Sequence, residues 1–248
     1  MSGEAGSTTV LLVGALLIRM VATGDYLRYV RSGMGPWLVV SGVLLVALGL
    51  SGLVTAVRGR RREEPGHDQH HEGHEGHEGH DGHGHGSGRV GWLLLAPVLA
   101  LLLVTPPALG SFGVDRTSTP GVVVAARGAL FPPLPAGRPP RSMTLLEFSQ
   151  RAASRGGAGL GAAPVQLTGF VAQPRDGAGV RLARYQIACC AADAAAAVVR
   201  LVGVPGPPAR DTWLSVAGTY RGTGADGVPE LAVTASRVVP APEDPYEG

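Results

Sequence analysis

Long apolar runs alternate with polar segments over the first 110 residues of the chain. The runs are Val10–Ala22, Trp37–Val57 and Gly91–Leu109, and a helix that spans a bilayer needs about 20 residues. The first run is short and contains Arg19, so we expect it to extend toward Tyr29 or to place the guanidinium at the membrane interface. A cleavable signal peptide is the alternative for this run, but no basic residue precedes it. The pattern predicts three transmembrane helices in region 1–110.

The second half of the chain has the shorter pattern of a small β domain. A Pro/Gly-rich connector, 111–141, precedes Met143–Ala153, where Thr144 and Glu147 have the spacing of a helix capping box. Short apolar segments separated by Gly and Pro then indicate strands. These are Val165–Val171, Arg181–Cys189, Ala197–Gly203, Trp213–Tyr220 and Glu230–Val239. One short helix and five strands predict a small closed β-barrel in region 142–248, with the OB-fold as the commonest type and a small sandwich as the alternative.

The arginines predict the orientation of the three helices. Five arginines lie between the second and third runs, and four lie in the first connection and after the third run; they are Arg58, Arg60, Arg61, Arg62 and Arg89, against Arg28, Arg31, Arg116 and Arg127. Positive charge favours the cytoplasmic side. We therefore expect a multi-pass plasma-membrane protein whose second connection is cytoplasmic and whose C-terminal domain is extracytoplasmic.

Every histidine of the chain lies in that second connection, within a His-rich loop at 63–88. The eight residues are His67, His70, His71, His74, His77, His80, His83 and His85. Imidazole is the commonest protein ligand for divalent transition metals. The frequent glycines disfavour a helix, so the loop is either a disordered hydrophilic linker or a flexible collector of metal ions. We favour contact with a metal, and the sequence does not select which one.

A second candidate site lies in the barrel domain at Cys189, Cys190 and Asp193. Successive side chains of a strand point to opposite faces, so both thiols can share one site only if the chain bends there. Residues 191–197 have the composition of such a departure from the strand. Two buried apolar cysteines are the simpler interpretation. The alternative is a dithiol with a carboxylate, which forms at most an open three-ligand metal site because region 142–248 contains no histidine.

Composition excludes several classes of function. The formal net charge of +2 gives no electrostatic basis for binding nucleic acid. The two cysteines are adjacent in sequence and cannot form a disulfide framework. Outside the His-rich loop no Ser-His-Asp set can be assembled, and no Gly-rich phosphate loop follows a strand, which argues against hydrolases and ATPases.

Several motifs resemble the YcgQ-like permease-subunit family of bacteria. The motifs are Ala22-Thr-Gly-Asp25, Arg28-Tyr-Val30, Met143–Phe148, Val165-Gln-Leu-Thr-Gly-Phe-Val171, Arg184-Tyr-Gln-Ile-Ala-Cys-Cys-Ala-Ala-Asp-Ala194 and Trp213-Leu-Ser-Val-Ala-Gly218. The stretch around the two cysteines is the most specific of them. The resemblance implies a membrane-embedded companion of a separate multispanning permease, with a metal ion or complex as one candidate for the cargo, which the resemblance leaves open. The arginine-only basic residues and the regular His repeat depart from the family pattern.

These observations favour a non-enzymatic accessory subunit of a membrane permease complex that handles a divalent transition metal, with zinc as the first choice. Its partners would be the multispanning permease and the lipid bilayer, with no nucleic acid. One alternative is a membrane-tethered thiol redox or thiol-metal enzyme, which is disfavoured because catalytic thiols need an electropositive setting or a CxxC spacing. The other alternative is a tethered β-barrel interaction module.

Overall fold

The computed structural model describes residues 2–62, 96, 99–100, 103, 107–114, 131–135, 137, 139–173, 179–204, 206 and 208–247. The chain forms two compact units, which are Met1–Asp25 with Gly35–Pro106, and Tyr26–Met34 with Pro107–Gly248. The His-rich loop at 63–88 lies outside the described residues, as does most of the third apolar run. Seven residues of that run are described: Ala96, Leu99, Ala100 and Leu103 are helical, whereas Pro107, Ala108 and Leu109 are not.

The first unit contains two long apolar helices, α1 at Ser2–Thr23 and α2 at Gly35–Arg62. Both contain a segment long and apolar enough to cross a membrane, Gly6–Thr23 and Ser32–Arg58, and only 11% of each segment is buried. Trp37, Leu44 and Leu48 of α2 are 68%, 59% and 64% exposed. The first helix ends at Thr23, so the expected alternative in which it continues toward Tyr29 is wrong. It reaches the length of a span by beginning closer to the N-terminus than the apolar run does. The two helices are of a kind suited to membrane association.

Glycines allow α1 and α2 to approach closely. A Cβ atom added at Gly42 would lie 2.8 Å from Cγ1 of Ile18 and 3.0 Å from the carbonyl oxygen of Gly14. One added at Gly49 would lie 2.8 Å from the backbone nitrogen of Leu11. Small residues serve the same purpose where helices pack inside membranes, since they bring the two backbones together.

The second unit is built around a closed five-stranded β-barrel, as the sequence predicted. Its strands are β2 at Val165–Ala172, β3 at Val180–Gln186, β4 at Ala195–Val202, β5 at Trp213–Thr223 and β6 at Pro229–Val238. The order around the barrel is β2-β3-β4-β6-β5, and β5 pairs with β2 to close it. Among these five described strands, only β4 and β6 pair in parallel. A two-residue strand, β1 at Arg141–Ser142, adds to β2 in parallel and was not predicted.

A short helix, α3 at Leu145–Ala153, contacts every strand of the barrel. Its side chains Leu145, Phe148 and Ala152 join the barrel core with Leu167, Val199, Val216 and Leu231. Leu145 and Phe148 are fully buried. As the sequence predicted, the Thr144 hydroxyl accepts a hydrogen bond from the Glu147 backbone N–H, at 3.0 Å. The helix therefore contributes its apolar side to the same core that the strands enclose.

Residues 244–247 bind both α3 and β3, and we call them the C-terminal clamp. The buried Glu247 carboxylate accepts hydrogen bonds from the backbone N–H groups of Leu145 and Leu146 at 2.9 and 3.1 Å, at the start of α3. The backbone of Glu247 pairs with the end of β3, where its N–H donates to the Tyr185 carbonyl at 2.8 Å. The Arg184 guanidinium donates to the carbonyl of Asp244 at 2.9 Å. One short segment thus ties α3 to β3.

The strand boundaries differ from the sequence prediction mainly at β3. This strand ends at Gln186, and the predicted continuation through Cys189 is wrong because the chain turns away at residue 188. The next strand begins at Ala195, two residues earlier than expected. The remaining three strands start within one residue of their predicted positions, and β5 continues to Thr223.

Replacing Gly42 by Leu should destabilise the helical hairpin by about 1–3 kcal/mol, the usual cost of overpacking a tight contact. The added side chain would collide with Ile18 and with the backbone of Gly14. Thermal loss of the helical circular dichroism signal in detergent measures the effect. Ala47→Leu is the matched control, because Ala47 lies on the same helix and is exposed. Equal midpoints for the two variants would contradict the close packing of α1 and α2.

Burial raises the pKa of Glu247 above its ordinary value of 4.5, against the opposing effect of the hydrogen bonds from Leu145 and Leu146. A carboxyl group whose pKa is higher in the folded state stabilises the fold below pH 4.5, and this contribution is lost as the pH rises through the folded-state pKa. Because glutamine does not titrate, we expect the free energy of unfolding of Glu247→Gln to fall less steeply above pH 4.5 than that of the original protein. Urea unfolding across pH measures it, and Glu243→Gln, at an exposed site, should leave the profile unchanged. A profile of Glu247→Gln as steep as that of the original protein would contradict this assignment.

Candidate functional site

The two cysteines lie in the loop that connects β3 to β4. Strand β3 ends at Gln186, and a single 3₁₀ turn at Ala191–Asp193 precedes β4. Cys190 caps this turn in an extended conformation, with φ −152° and ψ 170°. The bend that a shared thiol site requires is therefore present. We call residues 188–193 the thiol loop, and Cys189, Cys190 and Asp193 the thiol site.

The Asp193 carboxylate determines the shape of the thiol loop. It accepts hydrogen bonds from the backbone N–H groups of Ala188, Cys189 and Cys190, at 2.8, 2.9 and 3.2 Å. The Asp193 N–H in turn donates to the Cys190 carbonyl at 3.0 Å. Three successive N–H groups cannot point at one carboxylate while they take part in a strand ladder. The carboxylate thus draws the chain out of β3 and into the turn.

The thiols and the carboxylate are close enough to act on one ion. The Sγ atoms of Cys189 and Cys190 are 3.6 Å apart. The potential ligand atoms of Cys189, Cys190 and Asp193 all lie within 4.8 Å of one another. Cys189 and Asp193 are exposed and Cys190 is half-buried. The interpretation as two buried apolar cysteines is therefore wrong, since neither side chain belongs to the core.

The carboxylate also controls the protonation of the thiol. The hydrogen bond between the Cys189 thiol and the Asp193 carboxylate raises the pKa of Cys189 to about 11, with a further contribution from Cys190. The same hydrogen bond, together with the backbone donors, lowers the pKa of Asp193 to about 2. At neutral pH the site thus holds a carboxylate and a protonated Cys189 thiol. Such a thiol is a poor nucleophile, because the thiolate is the reactive form.

The thiol loop is paired with the linker between α1 and α2, which is part of the same compact unit. The Ala191 N–H donates to the Tyr29 carbonyl at 2.7 Å, and the Arg31 N–H donates to the Cys189 carbonyl at 3.1 Å. Val30 and Cys190 thus form an antiparallel β-bridge. We call Tyr26–Met34 the interhelical linker.

Tyr246 holds the interhelical linker at a second point. Its hydroxyl donates to the Arg28 carbonyl at 2.7 Å and accepts from the Leu109 N–H at 3.2 Å. Burial raises the pKa of Tyr246, so the phenol keeps the proton that it donates. The linker therefore contacts both the thiol loop and the C-terminal clamp.

The structure brings only some of the site residues predicted from the sequence close together. It brings Cys189, Cys190 and Asp193 together, while the eight histidines from His67 to His85 lie outside the described residues. Sequence reasoning missed the pairing of the linker with the thiol loop. The spacing of Cys190 and Asp193, which is that of a helix cap and its third residue, could have predicted the turn. No periodic pattern connects Val30 with Cys190.

Comparison with known proteins gives two matches to family models. Residues 8–117 match the DUF1980 N-terminal domain, and residues 162–247 match the DUF1980 C-terminal domain. No curated protein and no solved structure shows significant similarity to the chain. The first match covers most of α1, the interhelical linker and α2, and the second covers the five barrel strands and the thiol site. The chain thus belongs to the DUF1980 family and carries both its N-terminal and its C-terminal domain.

Proposed function

We propose that this protein is a non-enzymatic, membrane-embedded accessory subunit of a permease complex, and that its barrel presents an exchangeable site for a divalent transition metal, zinc first, at Cys189, Cys190 and Asp193. The observation that carries the metal role is the convergence of two thiols and one carboxylate within 4.8 Å at an exposed loop. The permease partnership rests on the resemblance of the sequence motifs, and the DUF1980 match is compatible with it.

The distance between the two sulfur atoms supports a tetrahedral ion. With zinc–sulfur bonds of about 2.3 Å, tetrahedral coordination places two sulfur ligands about 3.8 Å apart, and linear coordination places them about 4.6 Å apart. The observed separation of 3.6 Å is close to the first value. A tetrahedral borderline ion such as zinc therefore fits the pair as it stands, whereas a linearly coordinated Cu(I) ion would require the sulfurs to separate.

The incomplete ligand set supports exchange rather than structural binding. Structural zinc sites have four protein ligands, whereas the thiol site offers three. A metal must also displace the proton of Cys189, whose pKa is about 11. Both features weaken binding and leave positions open to incoming ligands, as a site that passes its ion to a partner requires.

The set of chain segments that make up the second unit supports a topology with three membrane-spanning helices. The interhelical linker and the chain from Pro107 onward belong to one compact unit. If α2 crosses the membrane, the chain needs a second crossing to return to the same side before residue 107, and the predicted third span would supply it. The helical residues Ala96, Leu99, Ala100 and Leu103 lie in the predicted third span. In this topology the His-rich loop and the thiol site are on opposite sides, and the arginines favour an extracytoplasmic barrel.

The strand order of the barrel supports the OB-like assignment. Two antiparallel hairpin pairings, β2–β3 and β3–β4, are followed by the parallel pairing of β4 with β6, and β5 closes the barrel against β2. This is a five-stranded Greek-key barrel of the kind to which OB-folds belong. Here α3 precedes the strands.

A tethered interaction module is the second candidate, and one cavity favours it. The cavity, of about 660 Å³, is lined by Phe112, Phe170, Trp213 and Leu109 together with Arg28 and Glu243. Its size and its mostly apolar lining are typical of binding pockets. None of its lining residues belongs to the thiol site. A thiol redox enzyme is less well supported, since the Asp193 carboxylate raises the pKa of Cys189 and so disfavours the reactive thiolate.

The absorption spectrum of bound Co²⁺ distinguishes binding at the thiol site from binding at the histidines, because only thiolate ligands give a sulfur-to-cobalt charge-transfer band. We expect the full-length protein to show this band, and the Cys189→Ser variant to lose most of it. Because Cys189 has a pKa of about 11, affinity should rise with pH below that value, by about tenfold per unit for each proton released. Ser236→Ala, at an exposed position of β6, is the neutral control and should keep the band. A protein without the band at any pH would contradict the metal site.

The permease partnership requires a test of its own. We expect the tagged protein, purified in mild detergent from its native membranes, to bring down a multispanning permease in comparable amount. The double variant Cys189→Ser/Cys190→Ser should retain that permease and lose metal bound at the thiols, since both lie outside the barrel core. Mass spectrometry of proteins and metals measures both. Recovery of the protein alone would favour the tethered interaction module.

A further inference from the structure

Two hydrogen bonds place Cys190 between two points of the interhelical linker. The carbonyl group that precedes Cys190, on Cys189, accepts from the Arg31 N–H, and the N–H group that follows it, on Ala191, donates to the Tyr29 carbonyl. We propose that the interhelical linker is the responding element of the thiol site, so that a metal bound at Cys189 and Cys190 orders the linker and the linker in turn tunes metal affinity. This inference rests on the proposed metal site and deepens it.

The interhelical linker is short, and it pairs with the thiol loop through the β-bridge at Val30. Two 3₁₀ turns, Asp25–Arg28 and Ser32–Met34, flank the segment that contains Val30. The helix α1 ends at Thr23, and α2 begins at Gly35. Since only a few residues separate the bridge at Val30 from either helix, a change in the order of this bridge acts directly on the chain that joins the two helices.

A metal bound at the thiol site would replace the interaction between the Cys189 thiol and the Asp193 carboxylate. The carboxylate also accepts from the backbone N–H groups of Ala188, Cys189 and Cys190, and it would share its oxygens between these donors and the ion. Binding of a cation deprotonates the thiol and brings sulfur and carboxylate into one coordination shell. The ion then fixes the side chains of Cys189 and Cys190, and with them the two backbone groups that bond to the linker.

The coupling between metal binding and the order of the interhelical linker acts equally in both directions. If metal binding stabilises the bonds to Tyr29 and Arg31, then loss of one of these bonds must weaken metal binding by the same factor. A hydrogen bond contributes about 0.5–1.5 kcal/mol net, so its full loss corresponds to a change of about two- to twelvefold. We expect a coupling on the order of threefold, within that range.

Ala191 offers a substitution that removes one bond and little else. It is the first residue of the 3₁₀ turn, where proline is tolerated. The preceding residue, Cys190, is already extended, as a residue before proline prefers to be. Ala191→Pro thus deletes the N–H donor to the Tyr29 carbonyl, and Ala191→Ser keeps that donor as the matched control. Arg31→Pro, with Arg31→Ala as its control, removes the other donor in the same way.

Hydrogen–deuterium exchange of the full-length protein in detergent, with and without Zn²⁺, tests the inference. Zinc should slow exchange at the Arg31 and Ala191 amides by about threefold or more, and should leave the Leu182 amide in β3 unchanged. The variant Cys189→Ser/Cys190→Ser retains the histidines and should show no such slowing. Ala191→Pro and Arg31→Pro should each weaken cobalt binding at the thiolate band about threefold relative to Ala191→Ser and Arg31→Ala.

The outcomes separate this inference from the proposed function. The coupling would be overturned, and the metal site would remain supported, if the thiolate–cobalt band appeared but zinc left amide exchange in the linker unchanged. Equal cobalt affinities in the proline variants and their controls would have the same meaning. Absence of the band would overturn the metal site itself. A proline variant that fails to fold is recognised by loss of the slow exchange at Leu182, and the other proline variant then decides the question.

Discussion

The geometry of the thiol site depends on the acceptance of three backbone hydrogen bonds by the Asp193 carboxylate. Without this acceptor, residues 187–190 would continue β3 and the two thiols would point to opposite faces of the sheet. With it, Cys189 and Cys190 lie side by side, with their sulfur atoms 3.6 Å apart. The hydrogen bond between this carboxylate and the Cys189 thiol keeps the thiol protonated by raising its pKa to about 11. One carboxylate thus both assembles the pair and restrains its reactivity.

The surroundings of this loop are built from segments remote in sequence. Tyr246 and Glu247 come from the C-terminal clamp, and Val30 comes from between the first two helices. The backbone of Glu247 continues the ladder at the end of β3, just before the chain enters the thiol loop. The interhelical linker therefore contacts the thiol loop directly, and the clamp contacts the end of β3 that leads into the loop. Both of these contacts are made through backbone hydrogen bonds, which tolerate changes of side chain.

The sequence predicted those features that follow from local periodicity, such as the barrel strands and the capped start of α3 at Thr144. It also indicated that the two thiols meet only where the chain bends. It did not locate the end of β3, because the residues from Ile187 to Cys190 remain apolar while the Asp193 carboxylate redirects their backbone. The bridge between Val30 and Cys190 pairs two backbones, so no property of either side chain signals it.

The double role of Asp193, as scaffold of the loop and as ligand, limits how strongly the site could hold an ion. To coordinate a metal, its carboxylate must share its oxygens with three N–H groups, while the thiol of Cys189 must release its proton against an elevated pKa. Each requirement subtracts from the gross energy of coordination. A site meant to retain zinc would be expected to supply a fourth ligand and a positive neighbour to lower the thiol pKa. Exposed thiols beside a carboxylate are better matched to brief occupancy, in which an ion arrives, alters the loop and leaves.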